Sequence, residues 1–166
     1  MNRIVFNMLT LLIFSGIAFS LFAQIMILPG IAADEVRHFP AYEPYRAPLL
    51  AVAIAFIACA QVSLVALWVL VFRAQTGIFF RPGTQPWVIT IGAAVTGATL
   101  LSSGLFLYLT FVGIPTPNDA DMGELGLWMA SGLGCLVGVA VLGIVFVAHR
   151  LVERATEAQI ELDGVL

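Results

Sequence analysis

The sequence predicts an all-α integral membrane bundle of four transmembrane helices, with the last helix extended into the cytoplasm. Three observations carry that prediction. Apolar residues make up 61% of the 166-residue chain and charged residues only 10%, against about 25% charged in ordinary soluble domains. A water-exposed surface cannot be built from so few charges. The charges are also segregated: none occurs between Arg3 and Asp34, Arg46 and Arg73, Arg81 and Asp119, or Glu124 and Arg150. Each gap holds at least the ~20 residues that a helix rising 1.5 Å per residue needs to cross ~30 Å of hydrocarbon. Finally, the gaps are continuously apolar, whereas a membrane barrel strand alternates over about ten residues.

Taken in chain order, the first span covers residues 4–28. An arginine followed by an apolar run can mark a cleaved signal peptide, but signal cores run only about 7–15 residues. A cut after Ala23 would also put Leu21 where a small residue is needed, so the segment reads as a retained helix. Residues 29–48 hold Pro29, Pro40, Pro44 and Pro48 with Phe39, Tyr42 and Tyr45. They read as a structured cap with one short helix around 31–38, its aromatics at headgroup level. The second span covers 49–72. A connection over 73–86 follows, punctuated by Gly77, Pro82 and Gly83, with Phe79 and Phe80 dipping into the interface. The third span is 87–112. Before the fourth span, 125–148, Asp121 and Glu124 have the spacing of a capping box. The tail, 149–163, continues that helix into water and stops at Asp163-Gly164. Nothing marks a linker, so residues 1–166 read as one membrane domain.

Orientation follows from arginine placement. With the amino terminus inside, Arg3, Arg73, Arg81, Arg150 and Arg154 are cytoplasmic and only Arg37 and Arg46 lie outside. The short connection with Arg73 and Arg81 carries no acid, and the loop at 115–124 carries acids and no base. Short loops near span ends are where the positive-inside rule holds best. Both termini are therefore expected in the cytoplasm, with the spans in the cell membrane.

Several function classes are excluded at this level. There is no lysine, the net charge is -3, and no basic stripe exists to hold nucleic acid. Cys59 and Cys135 sit in apolar runs without a CxxC pair, which reads as buried thiols rather than a redox centre. His38 and His149 fall at opposite membrane edges and cannot jointly ligate a haem, and no spacing gives a metal set. No nucleophile elbow, phosphate loop or catalytic carboxylate pair is present. No ionisable side chain lies inside a span, the feature on which ion-coupled transporters and proton relays depend. Neither an enzyme nor a cofactor is expected.

What remains are contact residues. Gly126, Ala130, Gly134 and Gly138 recur every four residues, forming a small-residue seam on the fourth span. Lipid is as apolar as leucine, so helices associate through close packing. Ala93, Gly97 and Gly104 on the third span offer the facing surface, with a homo-oligomer as the alternative use of the seam. Gln61, near mid-span, is the most polar side chain at membrane depth; an interhelical hydrogen bond is the leading role and a substrate contact the alternative. At the cytoplasmic side, Arg73 and Arg81 with Leu151, Ala155 and Leu162 form a candidate docking face. Arg150 with Glu153 and Arg154 with Glu157 are spaced to support the tail helix.

These residues together resemble a known family. Leu28-Pro29 leads into a cap with Tyr45 and Pro48; a Gly-x-x-Phe turn follows at Gly77 and Phe80, then Ile91-Gly92 in the third span. Leu151, Ala155 and Glu161-x-Asp163 close the chain. The pattern is similar to the bacterial four-helix membrane family of domain of unknown function 2975, over nearly the whole chain. Members follow the phenylalanine with serine, where this chain has Arg81-Pro82-Gly83. Their frequent encoding beside a small helix-turn-helix regulator implies a cytoplasmic protein partner. The expectation is a non-enzymatic module that senses, anchors or regulates through partner contacts. A small oligomeric transporter or channel is the alternative. A polar midplane cavity near Gln61 and Thr96 would mark the transporter, and a filled bundle the regulatory module.

Overall fold

The computed structural model describes residues 3–77, 83–114 and 122–163, and in the last stretch the side chains of 124–154. Every regular element among them is helical. They are α1 (Arg3–Phe22), α2 (Leu28–His38), α3 (Glu43–Gln75), α4 (Gln85–Phe111) and α5 (Met122–Asp163), with a π-helical turn at Ala23–Ile27 and a 3-10 turn at Pro40–Tyr42. Four helical rods, Arg3–His38, Pro40–Gln75, Gln85–Phe111 and Glu124–Arg154, are long and apolar enough to cross a membrane. The protein is a multi-pass membrane protein.

Prolines and glycines set the ends. Pro44 and Pro86 stand in the first turn of α3 and α4, where the missing N–H would have no helical partner anyway. After α3 and α4, Gly77 (φ 73°) and Gly113 (φ 68°) take the left-handed conformation that closes a helix.

Two boundaries differ from the sequence reading, and proline explains both. The cap was expected to begin with a break at Pro29; instead the chain runs helically from Arg3 to His38. An α-helical Pro29 would drive its ring into the Ile25 carbonyl. The wider π-turn relieves that clash, with the Leu28 N–H donating to the Ala23 carbonyl five residues back. Likewise the second span does not start at Leu49. α3 already begins at Glu43 and carries Pro48 inside it, because a proline this close to the helix start forfeits one hydrogen bond, to the Pro44 carbonyl. Each of the first two rods is 36 residues long, about 54 Å at 1.5 Å per residue. They therefore project well past ~30 Å of hydrocarbon.

Packing runs in chain order: α1 lies on α3, α3 on α4 and α4 on α5, while α2 folds back along α3. Among the described residues no packed interface joins α3 to α5. The central α4 supplies half of the buried residues among those described, Val88, Ala94, Thr99, Ser102 and Leu109. Large apolar side chains such as Leu11, Phe19, Leu100 and Leu136 point outward, while Ala66, Ser102 and Ser131 are buried. This inversion is the expected outcome when lipid solvates leucine and close approach, rather than apolarity, selects what lies between helices.

Candidate functional site

Four places gather the residues that carry chemistry. The first is a polar junction between α1 and α3. Gln61 donates through Nε2 to Ser20 Oγ (3.0 Å) and to Gln24 Oε1 (2.9 Å). The Gln24 amide donates in turn to the Ile54 carbonyl (3.1 Å). Gln24 belongs to the π-turn, so the irregular turn and the interhelical bonds occupy the same level. Gln61 is thus engaged by the protein itself. Thr96 is not part of this junction; its hydroxyl donates back to the Gly92 carbonyl (2.8 Å). Gln61→Leu should lower the unfolding free energy in detergent by about 1 kcal/mol, the scale of interhelical bonds in membranes. Thr96→Val, which breaks only a bond within its own helix, should cost clearly less. Equal losses at the two positions would remove the junction's stabilising role.

The second place is the face between α4 and α5. A Cβ built on Gly134 would lie 2.5 Å from Ser102 Oγ, and one on Gly138 would collide with Thr99. Gly126 instead has nothing within 4 Å, and Ala130 is exposed along a cavity. The facing surface also differs from the expected Ala93, Gly97 and Gly104. Gly97 turns to α3, where its Cβ would lie 3.4 Å from Cys59 Sγ, and Gly104 faces open space. Thr99 and Ser102 take their place, and a short hydroxyl side chain that bonds within its own helix keeps its polar atom satisfied at such close approach. Thr99 does so, donating to the Val95 carbonyl (2.8 Å). The sequence reading also missed the rest of this interface. The Trp128 indole donates to Thr110 Oγ1 (2.9 Å), its ring lies 5.0 Å from Phe106, and Ser103 Oγ and Cys135 Sγ share a hydrogen (3.1 Å). The regular four-residue spacing of glycines drew attention from the aromatic and hydroxyl partners that complete the face.

The third place is a cavity of about 630 Å³ at the α2 end of the molecule. α3 and α5 form its walls, α4 its floor and α2 its upper rim. Ile31, Phe56, Leu101, Leu105 and Leu127 give it an apolar body. Ser102, Ser131 and Gly134 also line it, as do Glu35, Arg46 and, at the start of α5, Glu124. Neither Gln61 nor Thr96 lines it. Glu124 accepts a hydrogen bond from the Ile114 N–H (2.9 Å). Its carboxylate therefore ties the start of α5 to the chain leaving α4, a link the capping-box reading did not anticipate; Asp121 lies outside the described residues.

The fourth place is the opposite end, where the docking face was expected. Arg73 packs its guanidinium over Gly83, whose Cβ would lie 3.3 Å from both terminal nitrogens; the φ of 106° there also suits glycine. Leu151 is 61% exposed on α5. Ala155 and Leu162 belong to the same unbroken helix, though their side chains, and all of Arg81, lie outside the described residues. The tail pairs differently from the expected Arg150–Glu153. His149 Nδ1 stands 4.0 Å from Glu153, one turn on, while Arg150 lies over the Phe146 ring at 5.4 Å. An arginine near the membrane edge keeps its stem on apolar surface and its charge on an aromatic face. At the α2 end, His38 Nδ1 lies 2.8 Å from the Asp34 carbonyl. Among the described residues no three His, Cys, Asp or Glu side chains converge.

The sequence model of the protein family of unknown function DUF2975 matches residues 30–166. The chain belongs to this family. No curated protein and no solved structure matches it. In this DUF2975 protein the matched stretch takes in α3, α4, α5 and nearly all of α2. It thus contains every residue bordering the cavity except Leu28. It also contains the α4–α5 face and the whole of the α5 arm, whereas Ser20 and Gln24 of the polar junction precede it.

Proposed function

We propose that this DUF2975 protein is a non-enzymatic regulatory module of the bacterial cytoplasmic membrane. Both ends lie in the cytoplasm, and it senses or anchors through partner contacts at its inner face. The observation that supports this reading is the α5 arm. α5 is 42 residues long, about 63 Å and twice the hydrocarbon thickness of ~30 Å. With 125–148 in the membrane, residues 149–163 extend about 22 Å into water. A solitary arm would need no apolar side chain there, yet Leu151 is exposed in its first turn beyond the membrane. The occupant that fits is a protein with an apolar groove rimmed by acids, which Arg73 and Arg81 would meet. The small helix-turn-helix regulator encoded beside family genes is the partner of choice.

The bundle is not the filled one expected of a regulatory module, since it holds the cavity, but the cavity does not match the transport alternative either. Its body is apolar, it lies in one half of the molecule, and the midplane amide of Gln61 is taken by Ser20 and Gln24.

Deleting residues 155–166 tests the docking reading. The truncated chain should insert and keep its thermal midpoint in detergent, yet lose at least tenfold in affinity for the purified regulator in a fluorescence titration. Unchanged affinity would leave the arm as a solvated helix end and end the docking-face proposal.

A further inference from the structure

We propose that the cavity at the α2 end is a specific site for one zwitterionic phospholipid, with an acyl chain in the cavity and the head group between Arg46 and Glu35. This goes beyond the partner-docking reading and concerns the opposite end of the molecule. The volume, about 630 Å³, falls within the ~300–1,000 Å³ of pockets that enclose small ligands. Its length along α5 matches a lipid leaflet: the lining residues there run from Glu124 to Gly134, ten residues of one helix, about 15 Å. That is half of the ~30 Å hydrocarbon core. The body is lined by leucine, isoleucine and phenylalanine, so it offers an acyl chain dispersion contacts and a water molecule almost nothing. Among the described residues α3 and α5 share no packed interface, so the site would open sideways between them. A lipid can enter there and leave its second chain in the bilayer.

The head group follows from the charges in the lining. Arg46 and Glu35 both border the cavity, and neither is ion-paired with the other or with any other described residue. A guanidinium and a carboxylate held apart at one rim match a phosphate and an ammonium held apart on one head group. Tyr45 also lines the cavity and suits the headgroup level. An anionic lipid would satisfy Arg46 but would face Glu35 without compensation. A fatty acid would leave Glu35 unused.

The test uses the full chain in detergent, titrated with palmitoyl-oleoyl phosphatidylethanolamine or the matching phosphatidylglycerol and read by native mass spectrometry. One phosphatidylethanolamine per chain should survive activation that strips phosphatidylglycerol. Arg46→Gln should weaken its retention about fivefold, the effect of one basic group near a membrane surface. Ala130→Trp fills the cavity from α5 and should abolish retention; Ala53→Phe, from the α3 wall, should do the same, so that one misfolded variant does not decide. Leu136→Trp, at a position 71% exposed and away from the cavity, should retain lipid as wild type does. Equal retention of the two lipids would overturn the head-group assignment. Retention unchanged in both cavity-filling variants, or no retained lipid at all, would overturn the site. Deleting residues 155–166 should leave lipid retention intact, which separates this result from the partner test.

Discussion

Gly138→Leu is expected to be the most damaging single change in the membrane-embedded part of the protein. A Cβ at Gly138 would already meet Thr99 Cβ and Cγ2 at 3.0 Å and collide with its hydroxyl. Thr99 has little room to yield: it is buried, and its Oγ1 is held by the Val95 carbonyl. Relief must therefore come from moving α4 away from α5, which disturbs the Ser103–Cys135 and Trp128–Thr110 contacts along the same face. Overpacking costs typically run to ~3 kcal/mol, and this substitution should reach or exceed that. Gly134→Leu meets mainly the Ser102 hydroxyl, a single rotatable atom, and should cost less. Gly126→Leu enters open space and Val139→Leu an exposed surface; both should be mild. Thermal midpoints in detergent should rank in that order. Equal midpoints for Gly138→Leu and Gly126→Leu would show that α4 and α5 do not approach through this seam.

The second large effect is an all-or-none labelling pattern. Cysteine introduced at Ala120 should react with a membrane-impermeant thiol reagent in intact cells, and cysteine at Thr76 only after the membrane is opened. Arg73 and Arg81 flank Thr76 in a short connection, where basic residues fix sidedness most strongly. The native thiols add no background, because Cys59 and Cys135 lie at membrane depth and are partly buried, away from the water that forms a reactive thiolate. Labelling in the reverse order would invert the molecule and place the α5 arm outside the cell.

The four spans could be read from the sequence because charge is excluded from hydrocarbon, and that rule acts on each residue alone. The third span needed almost no revision, 87–112 against Gln85–Phe111, and the fourth span and the tail form the one helix expected of them. Relations between helices were less legible. In water, an apolar stripe shows which side of a helix faces its neighbour. Here all sides are apolar, so leucine at 136 and leucine at 105 look alike although one faces out and the other lines the cavity. Small-residue spacing was the one available signal. It located Gly134 and Gly138 but could not show that hydroxyls at 99 and 102 would receive them. The cavity had no sequence signal, since it results from α3 and α5 both choosing α4 as neighbour. Pro29 was read as a break because the rule for proline concerns α-turns, and a π-turn supplies an exit from that rule.

That π-turn has a geometric consequence for the rim of the cavity. A turn closed five residues apart holds one residue more than an α-turn, and one residue corresponds to about 100° around the axis and 1.5 Å along it. Ser20, before the turn, and Ile31 and Glu35, after it, are therefore out of phase with the angles that an uninterrupted helix would give them. Ser20 is directed at Gln61 while Ile31 and Glu35 are directed at the cavity. Winding Ala23–Ile27 back to α geometry would carry α2 round by more than a quarter turn, taking Glu35 off the rim and leaving Ser20 in place. The rod thus behaves as a shaft with an angular step cut into it, and Gln24, bonded at the step to both Gln61 and the Ile54 carbonyl, is the key that holds the setting.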